Sequence, residues 1–261
     1  MQADAHRWYH SEPIRQQFIY ELGEPAGNER YNLFADMMAG TSSSAPVVPN
    51  IRKASYYMRE ALEDRLPVDD IRSYQDAVKW TRRNPLPEGY GSVGQPTDAY
   101  WAMRYLRGEQ FDDLMTPDAA HKIPSFGENI RGNLMPWTGD RHEAARLGMP
   151  ARVVKGKLEK QPLPSAAYPV AENLARKWAS ELGLMPAEFQ SARWMGGAER
   201  TGVRSNDPSL PHAVETAVMN QAKRTGEDPE VVLRNFIRGG GLLAVPGAVG
   251  TGVASQYEEE R

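Results

Sequence analysis

Apolar residues recur along this chain at helical spacing, and prolines cut the pattern into short pieces. Residues 13–22 (PIRQQFIYEL) and 30–39 (RYNLFADMMA) carry two such runs. Pro13 suits a first helical turn, where its missing N–H would have no partner anyway. Pro46 and Pro49, within GTSSSAPVVPN, forbid a helix running straight on from the second run into NIRKASYYMREAL. Further helices are expected at 68–82, 97–107 and 117–132, with a proline- and glycine-rich loop (NPLPEGYGSVGQPT) between the first two. Strand-type alternation is absent beyond short pieces such as Ala151–Val154. With 20 prolines and 23 glycines in 261 residues, the expected fold class is all-α, built from many short helices.

Beyond Arg152 the chain reads as extended and basic. A helix follows in YPVAENLARKWASELG, where Val170, Leu174, Trp178 and Leu182 fall on one stripe. The next begins at Pro186 (MPAEFQSARWMGGAER). The last helical stretch is HAVETAVMNQAKRTG with DPEVVLRNFIRG, whose Asp228-Pro229 is a start signal. The C-terminal stretch, uncharged from Gly239 to Gln256, is expected to be a flexible tail or a strip packed on the body.

Several chemistries are excluded or disfavoured by residue usage. There is no cysteine, so disulfides, thiolate metal sites, cysteine nucleophiles and iron–sulfur clusters fall away together. Five scattered histidines leave a His/carboxylate metal site open but unsupported, and no cofactor is expected. The N-terminus lacks the apolar core of a signal peptide, and no run of ~20 apolar residues exists to span a membrane. A cytoplasmic setting, in a bacterium or an infected host cell, is therefore expected. Net charge is −3, so a nucleic-acid reader would need a local basic surface. Arg141, Arg146, Arg152, Lys155, Lys157 and Lys160 offer one, against only Glu143 and Glu159; a solvated linker is the competing reading.

The segment from Lys122 onward reads K-I-P-S-F-G-E-N-I-R-G-N-L-M-P-W-T-G-D-R-H-E-A-A-R. It resembles the catalytic stretch of helix-hairpin-helix DNA glycosylases of the endonuclease III type. In that family a helix begins with the catalytic Lys and carries an Asn two turns on, and an Asp opens a V-D-x-H segment eighteen residues after the Lys. Lys122, Asn129, Asp140 and His142 stand at those positions, with Gly139-Asp140-Arg141-His142 in place of V-D-T-H. Upstream, MMAGTSSSAPVVPNIRKA is similar to the family's L-L-S-A-Q-A-T-D-x-x-V-N-K-A turn, which places Ser42, Ser43 and Ser44 at the bend facing the extruded base. The segment is also similar to phage-encoded proteins in which K-x-x-S-F-x-x-N-x-x-G and D-R-H recur beside A-E-F-Q-x-A-x-W, present here as residues 187–194. The family's hairpin signature L-P-G-x-G is absent; Thr116-Pro117-Asp118-Ala119-Ala120 stands in its place.

The resemblance covers roughly residues 30–147 and implies a glycosylase-like helical core over 1–150; the chain beyond Ala151 has no counterpart in the family and is expected to form a helical extension packing on the core over 151–238 and a flexible glycine-rich tail over 239–261. It implies base excision from double-stranded DNA carrying a damaged or modified base. Breaking an N-glycosidic bond leaves oxocarbenium-like charge on the sugar, which a carboxylate such as Asp140 can stabilise. A lysine amine such as Lys122 can attack the anomeric carbon and form a Schiff base if its pKa is lowered. Ser42–Ser44, Arg141, His142, Arg152, Lys155 and Lys157 would contact DNA, and Asn129 and Trp137 would line the base pocket. Plainer roles stand beside these. Asp140 suits the cap of a helix starting at Arg141, Lys122 a surface lysine, His142 a structural hydrogen-bonder, and Trp137 and Phe126 the core. Two other functions fit the same residues: a DNA-binding or base-modifying relative of phage origin without glycosylase chemistry, and a helical virion or interaction protein.

Overall fold

The chain is represented by a computed structural model that describes residues 5–42, 45–87, 90, 95–109, 122–139, 141–148, 152–154, 157–159, 163–164, 167–200 and 209–242. Among these the architecture is helical. In chain order it comprises a 3-10 turn (Ala5–Arg7), α1 (Glu12–Leu22), α2 (Glu24–Gly40), α3 (Val47–Leu62), α4 (Tyr74–Arg83), α5 (Gln95–Leu106), α6 (Lys122–Ile130) and α7 (Arg141–Arg146). A short hairpin, β1 (Arg152–Val154) and β2 (Lys157–Glu159), precedes α8 (Tyr168–Glu181), α9 (Pro186–Arg200), α10 (Leu210–Thr225) and α11 (Pro229–Ile237). The hairpin is antiparallel, with Arg152 opposite Glu159 and Val154 opposite Lys157, so the expected extended segment is paired.

α2 is the central helix and touches α1, α3, α5 and α6. It starts six residues before the expected boundary, because Pro25 sits in its first turn and Gly27 is required within it. A Cβ on Gly27 would lie 2.5 Å from the Ile19 backbone, so only glycine lets α1 and α2 approach this closely. α4, by contrast, starts later than expected. Ser73 and Asp76 form a capping box there, each side chain bonding the other's backbone N–H.

One large core gathers Phe18, Tyr31, Phe34 and Phe236 edge to face and stacked, which seats α11 against α1 and α2. The same core takes Ala187 and Met195 from α9 and Leu210 and Val214 from α10, so it spans both sides of residue 150. The N-terminal strap is pinned to these C-terminal helices: Leu210 N–H donates to the Trp8 carbonyl and Tyr9 Oη to Gln190 Oε1. Ser55 Oγ accepts from Leu242 N–H at 2.9 Å, so the chain just past α11 is packed on α3 up to that residue; residues 243–261 lie outside the described part.

A second, smaller core joins Trp137, Ala144, Tyr168 and Phe189 with the alanines of α8. Ala171, Ala175 and Ala179 face inward, while Val170 and Leu182 are 62% and 65% exposed.

Candidate functional site

α6 begins at Lys122, and Pro124 falls in its first turn, where no intrahelical donor is needed. Ile123 is buried beside Ala39 and Trp101, and its carbonyl accepts from Tyr105 Oη at 3.2 Å. Ala39 lies in the last turn of α2, and its carbonyl accepts from Ser42 N–H at 3.2 Å. One apolar cluster therefore holds two segments together: the turn leading into Ser42 and the turn carrying Lys122. Gly127 lets the helices meet, since a Cβ there would stand 3.0 Å from Tyr105 Oη and 3.2 Å from the Ala39 methyl.

The far end of α6 is fixed as firmly. The Ile130 carbonyl accepts from Ser11 Oγ and Tyr31 Oη, both at 2.6 Å, and burial pushes the Tyr31 hydroxyl up to about 12. Arg131 pairs with Asp36 and Glu128. Gly132, at φ 99°, turns the chain out of the helix.

Asn129 organises the loop that leaves α6. Its amide is fully buried; Nδ2 donates to the carbonyls of Asn133 (2.8 Å) and Pro136 (3.1 Å), and Oδ1 accepts from Thr138 Oγ1 (2.8 Å). Trp137 is buried against Tyr168, whose hydroxyl donates to the Trp137 carbonyl and accepts from Gly139 N–H. A Cβ on Gly139 would fall 2.3 Å from the Trp137 ring, so glycine is obligatory at this approach. Asn129 and Trp137, expected to line a base pocket, are thus interior residues that hold the 131–139 loop in shape. Asn129→Ala leaves two carbonyls and a hydroxyl without their partner, and about 2–3 kcal/mol of stability is expected to be lost. Urea unfolding measures this, and an unchanged midpoint would contradict it.

The loop ends at Gly139 and α7 starts at Arg141. Asp140 between them lies outside the described residues, as do Ser43, Ser44 and Lys155. Arg141 and His142 are in α7 and Arg152 and Lys157 in the hairpin, but their side chains are likewise outside the description. Ser42 is half-buried; its Oγ is shielded from water with no hydrogen-bond partner. Lys122 is half-buried. The structure thus brings together the backbone around Ser42 and Lys122, and fixes the path of the chain up to the residue before Asp140.

Two ionic clusters were missed by sequence reasoning. Lys53 Nζ and Asp98 Oδ2 form an ion pair at 2.7 Å with side chains 4% and 0% exposed, tying α3 to the first turn of α5. Burial pushes the Asp98 carboxyl up to about 7, with Lys53 pulling against it, and Tyr57 Oη is buried close by. One signal was readable: Asn50, Lys53 and Tyr57 recur at i, i+3 and i+7, on the same face of α3 as buried Ala54. Asn50 caps the end of α2 by donating to the Met38 carbonyl and accepting from Thr41 Oγ1. The second cluster is Glu143 of α7, 1% exposed, which pairs with Arg146 and with Arg193 of α9.

Burial also pushes the Asp36 carboxyl up to about 6, against the opposing pull of Arg131. Asp36 therefore binds its proton more tightly in the folded chain than an unfolded carboxyl does. Its contribution is fully present below about pH 4 and is lost as pH rises through about 6. Thermal stability is expected to rise as pH falls from about 8 to about 5, and Asp36→Asn to flatten part of that rise. A melting temperature that falls over the same window would contradict the assignment.

Among the described residues no group of three or more His, Asp and Glu side chains could hold a metal ion, and no helix is long and apolar enough to cross a membrane. Compared with known protein families, curated proteins and solved structures, the chain matches none.

Proposed function

We propose that this chain is a DNA base-excising enzyme of the helix-hairpin-helix glycosylase type, acting on a damaged or modified base in double-stranded DNA. The observation that carries the reading is the Ala39–Trp101–Ile123 cluster. It holds the last turn of α2, which leads into Ser42, beside the first turn of α6, which begins at Lys122, and the resemblance assigns these two stretches of chain to the reaction.

In this reading the base leaves the stack at a cost of a few kcal/mol and enters near the Ser42–Ser44 turn. The C1′–N bond breaks, the base departs with a proton, and positive charge builds on the sugar ring. The Asp140 carboxylate stabilises that charge. Either water or the neutral Lys122 amine adds at C1′, and the proton it releases is the one the departing base takes up; after amine attack, the C1′–O4′ bond breaks, opening the ring to a Schiff base. Arg141, His142, Arg152, Lys155 and Lys157 hold phosphates around the gap. The buried Asn129 network fixes the loop up to Gly139, the residue before Asp140.

Borohydride reduction of the enzyme with abasic or modified duplex should trap a covalent complex that disappears in Lys122→Ala. Trapping that survives Lys122→Ala would remove Lys122 from the chemistry. A second reading, a helical interaction protein without chemistry, draws support from the exposed stripe on α8. It predicts no DNA affinity even at low salt.

A further inference from the structure

The second core leaves an unusual surface. α8 buries its alanines and turns large apolar side chains outward, so Val170, Leu174 and Leu182 are 62%, 42% and 65% exposed. Four stripe residues spaced four apart, Val170 to Leu182, cover about 18 Å of helix. Beside the first three lies an open cleft of about 480 Å³, walled by α7, α8 and α9, with Leu147 and Leu163 on its other side. Its charged lining residues are Arg146 and Arg193.

Both guanidinium groups are held in place. Buried Glu143 pairs with Arg146 through one oxygen and with Arg193 Nε through the other at 3.3 Å. Arg146 also reaches the Trp194 carbonyl at 3.4 Å. The Arg193 guanidinium lies 5.3 Å from the centre of the Phe189 ring and 5.9 Å from that of Trp178. Among the described residues the cluster sets one carboxylate against two guanidiniums. Ion pairs Glu172–Arg176 and Lys177–Glu181 elsewhere on α8 are internally balanced.

We propose that the α8 stripe and the Arg146–Arg193 cleft dock a segment of a partner protein, an amphipathic helix whose large apolar side chains meet the stripe and whose acidic residue meets the two arginines. The stripe outruns the cleft, which fits a helix laid along α8 better than a compact small molecule. Two guanidiniums against one carboxylate select an acidic rather than a basic partner.

The test uses the full chain and two fluorescein-labelled helical peptides of about five turns. Both carry leucines at i, i+4 and i+7; one has glutamates and the other lysines at the flanking positions. Fluorescence anisotropy at low salt should show the acidic peptide binding about tenfold or more tightly than the basic one. Val170→Glu and Leu174→Glu, both at exposed positions, should abolish binding while leaving the circular dichroism spectrum unchanged. Equal affinity for the two peptides, no binding, or binding unaffected by either substitution would overturn the proposal. So would a dimer in sedimentation that Leu174→Glu dissociates, which would make a second copy the occupant. Binding that appears only after residues 243–261 are removed would do the same in favour of the chain's own tail.

Discussion

Asp98→Ala is expected to destabilise the fold by about 3–5 kcal/mol, the cost of leaving a buried charge without its counter-charge. The Lys53 ammonium would remain in a space where its side chain is 4% exposed, between α3 and α5 and far from water. The size of the effect separates this pair from the surface ion pairs of the molecule. Arg72–Asp69, for example, has both partners largely exposed, and such pairs contribute about 0–1 kcal/mol. The double replacement Lys53→Met with Asp98→Leu removes both charges at once and should recover most of the loss. Urea unfolding of Lys53→Met, of Asp98→Leu and of the double variant completes the cycle. A double variant as unstable as the sum of the singles would show that packing, not the ion pair, holds α3 to α5 here.

Asp140→Asn is expected to lower base release by a factor on the order of 10² to 10³, the usual cost of losing one preorganised electrostatic group at a developing charge. The substitution keeps the size of the side chain and its capacity to accept a hydrogen bond from a helix N-terminus. A role limited to capping α7 would therefore leave activity near that of the parent. Stability measured alongside activity distinguishes the two roles. Loss of rate with an unchanged unfolding midpoint assigns Asp140 to the chemistry, whereas loss of both assigns it to the fold.

The class of fold was legible because helix periodicity is local. The first and last helices needed only spacing and start signals such as Pro13 and Asp228-Pro229. Boundaries failed where a residue that usually breaks helices had another role. Pro25 and Gly27 look like a turn, yet Pro25 opens α2 and Gly27 supplies the close contact with α1. The facing of α8 was not legible either. Its periodicity reveals an alanine face and a large apolar face, and which one is buried depends on how closely α9 approaches. Lys53–Asp98 is 45 residues apart in the chain, and no local pattern announces such a pair.

For the candidate site, the spacing of Lys122, Asn129 and Asp140 pointed to one stretch of chain, and the Ala39–Trp101–Ile123 cluster joins that stretch to the turn before Ser42. The roles within it were less readable. Asn129 and Trp137 are polar and aromatic residues of kinds that line pockets, but their partners are the carbonyls of the adjoining loop and Tyr168. Residue type alone does not separate a side chain facing a ligand from one facing its own backbone.

Base release from a panel of duplexes, each carrying one damaged or modified base and monitored by mass spectrometry, tests the central claim most directly. Free base is expected from at least one duplex with the parent chain, and release reduced on the order of 10²-fold or more in Asp140→Asn. No free base from any duplex, or release that Asp140→Asn leaves untouched, would contradict it.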